Sequence, residues 1–213
     1  MRLIAIVLAL TLEAIVGSIA RPIHSGFGSG SVADTMSGTT LLAALAEDYY
    51  AALKTHTKWR KFPVTVFFVR DHEYSTTREQ EARTGFSRWT EATRGFVAFK
   101  VVEIAKGADM LVRFDPNSDD GYTTTTFTSG RLVKAHVKVG VRRGWPHDIQ
   151  CVAAHEFGHA LGINGHSNVV QDLMFPTHNM GTAWQISQRD LNTLAAIYRP
   201  AVKITATWTP AAG

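Results

Sequence analysis

Residues 155–166 constrain the fold of this chain more than any other segment. They include His155, Glu156, His159 and His166. Histidines four residues apart lie on one face of a helix, so His155 and His159 can both direct a ring nitrogen at the same metal ion. Glu156 stands beside them and can reach a water on that metal without being a ligand. The pattern therefore predicts a helix that carries a zinc site and an adjacent general base.

A glycine after the second histidine indicates how the chain returns to the metal. Gly162 can adopt a positive φ and end the helix in a sharp turn, which makes His166 the natural third ligand. Three protein ligands leave the fourth position of zinc open for water or substrate. The sequence has no glutamate after Glu156, which excludes the class of zinc site that uses a downstream glutamate as third ligand.

This pattern resembles that of the metzincins, H-E-x-x-H-x-x-G-x-x-H followed by a turn that contains a methionine, here Met174. Within that clan the chain is most similar to the matrixins, the matrix metalloproteinase group. The segments that carry the likeness are Val152–Gly162, His166-Ser167, Asp172–Pro176 and Ile186–Tyr198, with weaker similarity upstream to about residue 58. The resemblance implies an α/β (α+β) catalytic domain that has a mixed twisted sheet, an antiparallel edge strand, an active-site helix and a C-terminal helix.

The resemblance also implies a function, that of a secreted zinc-dependent endopeptidase acting on protein or peptide substrates. Zinc held by His155, His159 and His166 would activate water, and Glu156 would take its proton as general base. Met174 would form the floor beneath the metal, and residues 175–180 would shape the pocket for the side chain after the scissile bond. In matrixins the edge strand pairs with the substrate backbone, and we expect the strand at residues 133–141 to take that place; an ordinary edge strand is the alternative.

One departure from the family pattern affects the third ligand. Three residues, not two, separate Gly162 from His166. We expect Gly165 to absorb the extra residue as a local distortion of the turn, because glycine tolerates unusual backbone angles. The interval from His166 to Met174 matches that of the family, which favours His166 as ligand; the alternative is that Asp172 or a water takes its place.

Two other functions are compatible with the motif. One is a zinc-stabilised binding or adhesion module that lacks catalysis. Glu156 argues against it, because a structural zinc site is normally closed by four protein ligands and has no use for a general base. The other is a hydrolase that acts on a non-peptide amide.

Composition limits the classes of partner. A chain of 213 residues that is 45% hydrophobic can bury one sizeable core. The net charge of +4 comes from scattered basic residues, of which Lys58-Trp59-Arg60-Lys61 is the densest group. Since no basic stripe or nucleic-acid motif is present in the sequence, we expect no nucleic-acid partner. We also expect a monomer.

The first 20 residues have the pattern of an export signal. Arg2 precedes an apolar run, residues 3–12, and Ser18-Ile19-Ala20 offers small residues for cleavage. We expect a secreted protein without stable membrane insertion; a cell-envelope location would follow if the signal is not cleaved. Residues 21–57 are expected to form a linker, rich in Gly, Ser and Thr over 24–40, and then a helical stretch over 41–53 that is either a short propeptide or an N-terminal helix packed on the domain. The catalytic domain is expected over 58–200 and a tail over 201–213.

Apolar periodicity within the domain predicts strands and helices. A helix is expected from a capping box at Thr76–Glu79 to Gly95, and the metal-binding helix is expected to start at an N-cap near Asp148. Strands are expected over residues 63–69, 97–104, 110–114 and 133–141. This order suits a sheet backed by two long helices.

Further metal sites have weaker support in the sequence. His136 matches one structural-zinc histidine of matrixins, but the partner histidines are missing from residues 115–121. That acidic loop could bind Ca²⁺, although a solvated turn accounts for the same composition. Cys151, the single cysteine, is expected to be a small buried side chain on the metal-binding helix.

Overall fold

The computed structural model describes residues 47–177 and 184–199. The expected signal peptide, the linker over 24–40 and the tail over 201–213 lie outside the described residues. Within the described part of the chain the strands are β1 (Val64–Phe68), β2 (Phe99–Val101), β3 (Met110–Asp115), β4 (Tyr122–Thr128) and β5 (Arg131–Gly140). The helices there are α1 (Thr76–Ala92), α2 (Pro146–Ala160) and α3 (Gln188–Tyr198), and a short 3-10 turn spans Tyr50–Ala52.

The strands form one mixed sheet in the order β2-β1-β3-β5-β4. β1 pairs in parallel with both β2 and β3, and β3 pairs in parallel with β5. β4 pairs with β5 in antiparallel fashion and lies at the edge. The α/β fold with a mixed sheet and an antiparallel edge strand, expected from the sequence, is therefore confirmed.

The expectation that residues 133–141 form the edge strand is wrong. That segment is β5, which lies inside the sheet between β3 and β4. Its side chains alternate between core and solvent, with Leu132, Ala135, Val137 and Val139 buried. The charged residues between them cover the solvent face of the sheet rather than an edge. The true edge strand, β4, was missed because its sequence, Tyr-Thr-Thr-Thr-Thr-Phe-Thr, has no apolar alternation.

The other strands expected from the sequence occur as β1, β2 and β3, with β2 shorter than expected. The N-caps of α1 and α2, Ser75 and Trp145, lie one and three residues before the expected positions. Ser75 caps α1 by accepting a hydrogen bond from the Arg78 backbone N–H at 3.2 Å, so the cap precedes the expected Thr76. α2 starts at Pro146, whose fixed φ suits the first turn, and Asp148 lies within that turn rather than at the cap.

Helices α1 and α2 pack together beside the sheet. Phe86 of α1 stacks on Phe157 of α2 with ring centroids 4.4 Å apart, and on Phe68 of β1 at 6.2 Å. The indole N–H of Trp89 donates to the Ala154 carbonyl oxygen at 2.8 Å. Gly85 lies against the α2 backbone, where an added Cβ would be 3.0 Å from the Ala153 Cβ. Because α2 is buried along most of its length, its position relative to the sheet is fixed.

The segment before β1 packs on the same domain. Of the expected helix over 41–53, the described part contains the 3-10 turn and no α-helix. Tyr49 and Leu53 are both buried, and the Tyr49 hydroxyl donates to Asp190 Oδ1 at 2.6 Å. The folded part of the chain therefore extends upstream of residue 58.

Among the helices that the structure describes, none is both long enough and apolar enough to span a bilayer.

Candidate metal centre and cleft

Three histidines converge at the C-terminal end of α2. His155 and His159 lie one helical turn apart, and His166 faces them from the returning chain; the ring centroid of His166 is 5.4 Å from that of His155 and 4.8 Å from that of His159. One ligand atom from each residue lies within 4.8 Å of the others, in the one such cluster among the described residues. His155 is buried and His166 is exposed, so the centre opens to solvent on the His166 side.

The turn after α2 depends on Gly162. Its φ is +109°, as the sequence predicted, and its N–H donates to the His159 carbonyl oxygen at 2.9 Å. An added Cβ would collide with the carbonyl oxygen of Thr57. A side chain is therefore excluded by both backbone conformation and space.

Gly165 has a different role from the one expected. Its φ lies outside the left-handed region, so it does not absorb the extra residue through an unusual backbone angle. An added Cβ would instead lie 3.2 Å from Leu53 Cδ2 and 3.4 Å from Leu53 Cα. The longer turn therefore packs against the segment that contains Leu53 and Lys54. The backbone N–H of Lys54 donates to the Asn164 carbonyl oxygen at 2.8 Å.

Backbone carbonyl groups orient two of the rings. His155 Nδ1 lies 2.7 Å from the Leu173 carbonyl oxygen, and His159 Nδ1 lies 2.7 Å from the Ile163 carbonyl oxygen. A carbonyl oxygen can only accept, so Nδ1 carries the proton in each ring and Nε2 keeps its lone pair. Burial lowers the pKa of His159 to about 4, which keeps its imidazole neutral at physiological pH. Neutral imidazoles with fixed tautomers are the donors that zinc binds, so the residues present fit this metal.

Met174 packs directly beneath α2. It is fully buried, and an added Cβ on Gly158 would collide with its sulfur atom. The same Cβ would be 2.9 Å from Trp89 Cζ2. Gly158 lies between the two helical histidines, so its lack of a side chain allows Met174 to support this part of the helix.

Asp172, the alternative third ligand considered from the sequence, is engaged elsewhere. It is 2% exposed, it accepts a hydrogen bond from the Ser167 hydroxyl, and its Oδ2 lies 3.2 Å from Arg189 Nε. These contacts tie the segment after His166 to α3. The structure thus places His166, and not Asp172, beside the other two histidines.

Glu156 is a buried carboxylate whose position is set by the edge strand. The Thr123 hydroxyl donates to Glu156 Oε2 at 2.6 Å. An added Cβ on Gly121 would lie 2.6 Å from both Cδ and Oε1 of Glu156, so Gly121 packs directly on the carboxylate. Burial raises the pKa of Glu156 to about 7; the Thr123 hydrogen bond lowers it, and the negative charge of Asp120 raises it.

Comparison with known proteins agrees with this geometry. Residues 144–199, which include α2, the turn, the three histidines and α3, match the family model described as Matrixin. Over this segment the chain is similar to the matrixins, a family of metzincins. The family resemblance inferred from the motif is therefore confirmed.

Several named matrixin relatives align with the chain. Karilysin of Tannerella forsythia is 28% identical over 160 residues, which cover 66% of this chain and 33% of that protein. Matrix metalloproteinase-27 of Homo sapiens is 29% identical over 160 residues, covering 66% of this chain and 30% of that protein. Interstitial collagenase of Bos taurus is 43% identical over 54 residues, covering 25% of this chain and 11% of that protein. The chain thus spans a third or less of the length of these relatives.

The histidine cluster lies in a cleft of about 360 Å³. One side is formed by the start of β4 and the loop before it, and the other by the turn after α2 and by Pro176. Sequence reasoning missed several lining residues, namely Lys54, Gly121, Tyr122, Thr123, Thr125, Asn164 and Trp184. The run of β-branched threonines after Gly121 is the signal that indicates a strand there.

The additional ions of matrixins receive little support from the described residues. His136 lies exposed on β5 and is not part of the histidine cluster. In the acidic loop, the Asp119 carboxylate pairs with Arg142, and its Oδ2 lies 3.4 Å from Arg143 Nε. The Arg142 hydrogen bond lowers the pKa of Asp119. These arginines already compensate its charge, and Ca²⁺ at this loop stays a prediction.

Proposed function

We propose that this protein is a zinc-dependent endopeptidase that hydrolyses peptide bonds, with His155, His159 and His166 as zinc ligands and Glu156 as general base. The observation that carries the proposal is a buried carboxylate next to three converging imidazoles in a cleft open to solvent. A purely structural zinc site would not need that carboxylate.

Zinc held by His155, His159 and His166 would supply a Lewis acid that polarises the scissile carbonyl and lowers the pKa of the attacking water to about 7. Glu156 accepts a proton from that water while the water oxygen bonds to the carbonyl carbon. The carboxyl group then gives the proton to the departing nitrogen as the C–N bond breaks. Thr123 occupies Oε2 of Glu156, which leaves Oε1 to exchange the proton.

The substrate backbone is proposed to extend the sheet along β4. As the edge strand, β4 has one side on which its backbone groups have no neighbouring strand among the described residues. Thr123 and Thr125 of β4 line the cleft, so a peptide added here would pass over the histidine cluster. We assign this peptide an antiparallel direction by resemblance to the matrixins. Main-chain hydrogen bonds to an edge strand would align peptides of varied sequence.

The side chain after the scissile bond is proposed to enter a pocket beside Pro176. Pro176 and Val152 line the cleft together with His155. Of the wall expected over 175–180, the structure describes residues 175–177. We also propose export of the protein, supported by Arg2, the apolar run after it and the small residues before Arg21.

The test is mass-spectrometric detection of cleavage in an unbiased peptide mixture, with the full chain loaded with zinc. Glu156→Gln is the matched control, because it keeps the shape of the side chain but removes the base. We expect cleavage by the wild type and none by the variant, with one zinc bound to each. Absence of cleavage by both zinc-loaded proteins would contradict the proposal and favour a non-catalytic binding module.

A further inference from the structure

The catalytic cleft contains one lysine or arginine side chain among its described lining residues, that of Lys54. Lys54 is exposed, and its ammonium group has no hydrogen bond or ion pair with the part of the chain that the structure describes. Two basic residues of the same domain are engaged: Lys58 Nζ donates to the Arg199 carbonyl oxygen at 3.1 Å, and Arg189 is paired with Asp172. An unpaired cation in a substrate cleft is available to bind an anionic group.

The backbone of Lys54 is held in place although its side chain is not. Its N–H donates to the Asn164 carbonyl oxygen at 2.8 Å, and the Asn164 side-chain amide donates to Thr55 Oγ1 at 2.8 Å. The neighbouring Leu53 is 6% exposed and packs on Gly165. The longer turn before His166 therefore fixes the segment that brings Lys54 to the cleft.

The direction of the chain after Lys54 shows which part of a substrate this lysine faces. Residues 54–58 lead towards the β4–β5 hairpin, where Lys58 forms a parallel bridge with Arg131 and its N–H donates to the Gly130 carbonyl oxygen at 3.3 Å. This hairpin follows the C-terminal end of β4. Glu156, in contrast, contacts Thr123 near the N-terminal end. A peptide antiparallel to β4 would place the residues that precede its scissile bond on the Lys54 side.

We propose that Lys54 is a specificity-determining residue that selects an acidic side chain among the three residues preceding the scissile bond. This inference rests on the proposed peptidase function and on an antiparallel substrate. Asp120 also lines the cleft and comes just before the N-terminal end of β4, so the cleft contains charges of both signs. An acidic residue after the scissile bond would meet that carboxylate and gain nothing from Lys54. Because Lys54 is exposed, we expect a selectivity of about two- to fivefold that weakens as salt increases.

The test compares cleavage-site profiles of the zinc-loaded full chain, measured by mass spectrometry on one peptide mixture at low and high salt. The variants are Lys54→Met, Lys54→Glu and Lys54→Arg. Lys100→Met is the matched control, because Lys100 is also exposed but lies on β2, at the opposite edge of the sheet. Matched peptide pairs that differ by Glu or Gln at one preceding position then give the ratio of kcat/KM.

We expect the wild type to favour Glu and Asp over Gln and Asn before the cleaved bond. Lys54→Met should abolish this preference, Lys54→Glu should replace it by a preference for Lys and Arg, and Lys54→Arg and Lys100→Met should keep it. The inference would be overturned if the wild type showed no such preference, or if Lys54→Met kept the preference unchanged. Cleavage in either case would still support the proposed peptidase function. If the wild type cleaves nothing, both are overturned.

Discussion

The hydroxyl of Thr123 donates a hydrogen bond to Oε2 of Glu156 at 2.6 Å, and this bond joins the edge strand β4 to helix α2. Glu156 is therefore positioned by β4, the strand along which a substrate is proposed to lie. This contact, together with the packing of Gly121, fixes Glu156, the proposed general base, relative to the proposed path of the peptide. Changes in β4 should consequently affect catalysis without affecting the metal ligands.

Replacing Thr123 with valine should lower kcat/KM by roughly tenfold or more. The change keeps the shape of the side chain but removes a hydrogen bond to a buried carboxylate, and such bonds contribute about 1.5–3 kcal/mol. Peptide cleavage by the zinc-loaded protein measures the effect. Thr123→Ser should recover most of the activity because it restores the donor.

The matched control for this variant is Thr124→Val, on the same strand. The Thr124 side chain is exposed and points away from the cleft side of β4. Its replacement should change kcat/KM by less than about twofold, because substitutions of exposed side chains outside the core and outside buried hydrogen-bond networks usually have small effects. Equal losses in Thr123→Val and Thr124→Val would show that the effect comes from the strand and not from the hydrogen bond.

Replacing Gly121 with alanine should reduce peptide cleavage but leave zinc bound. The new Cβ would be 2.6 Å from Cδ of Glu156 and would also collide with its Cγ, so the carboxylate must shift. The φ of Gly121 lies outside the left-handed region, so the variant adds bulk without backbone strain there. Zinc content and far-UV circular dichroism should match the wild type. Full activity in this variant would contradict the position assigned to Glu156.

Replacing His166 with alanine should weaken zinc binding by more than about 100-fold, because loss of a group that only hydrogen-bonds a ligand already weakens metal binding by up to about 100-fold. His136→Ala is the control, because His136 is exposed on β5 and lies outside the histidine cluster. Zinc content after dialysis against a competing chelator distinguishes the two variants. Retention of zinc by His166→Ala would eliminate His166 as the third ligand, and loss of zinc from His136→Ala would reveal a second site.

The cluster of three histidines was predictable from the sequence because it is built from local spacing. Four-residue periodicity places His155 and His159 on one helix face, and a glycine after the helix predicts the turn that returns His166. The structure brings these three residues together, and the φ of Gly162 is positive as predicted. Each of these inferences needs only the conformation of a short stretch of chain.

The contacts that position Glu156 and Lys54 were not predictable in this way. Thr123 and Glu156 are 33 residues apart, so their meeting depends on how β4 pairs with β5 and packs on α2. β4 also lacks the alternation of apolar residues that would have identified it.

The contact between Tyr49 and Asp190 was likewise not predictable, because these residues are separated by 141 residues and no local pattern connects them. The edge strand was misassigned for the same reason, since strand order is set by tertiary packing and not by the pattern within one strand.

Replacing Tyr49 with phenylalanine should lower the free energy of unfolding by about 1–3 kcal/mol, because it leaves a buried carboxylate without one of its donors. The Tyr49 hydroxyl donates to Asp190 Oδ1 at 2.6 Å, and its backbone N–H donates to Thr193 Oγ1 at 3.0 Å. Tyr50→Phe is the control, because Tyr50 stacks on His56 through its ring, which phenylalanine keeps. Urea unfolding monitored by tryptophan fluorescence compares the two. A Tyr49→Phe protein as stable as Tyr50→Phe would show that this bond does not anchor the N-terminal segment.

The stability contributed by Asp190 should decrease as pH rises. Burial raises the pKa of Asp190 above its ordinary value of 3.8, although hydrogen bonds from Tyr49 and Ser187 lower it. Between 3.8 and the raised pKa the folded protein binds more protons than the unfolded chain, so the free energy of unfolding falls with increasing pH over this window. Asp190→Asn removes the titration, and the stability advantage of the wild type over this variant should be larger at about pH 4 than at about pH 7. Urea unfolding at both pH values measures the free energy of unfolding of the two proteins. Titration of the histidines changes this free energy equally in both proteins, so it cancels from the comparison. An advantage that grows with pH would mean that the Asp190 carboxylate is stabilised in its charged form.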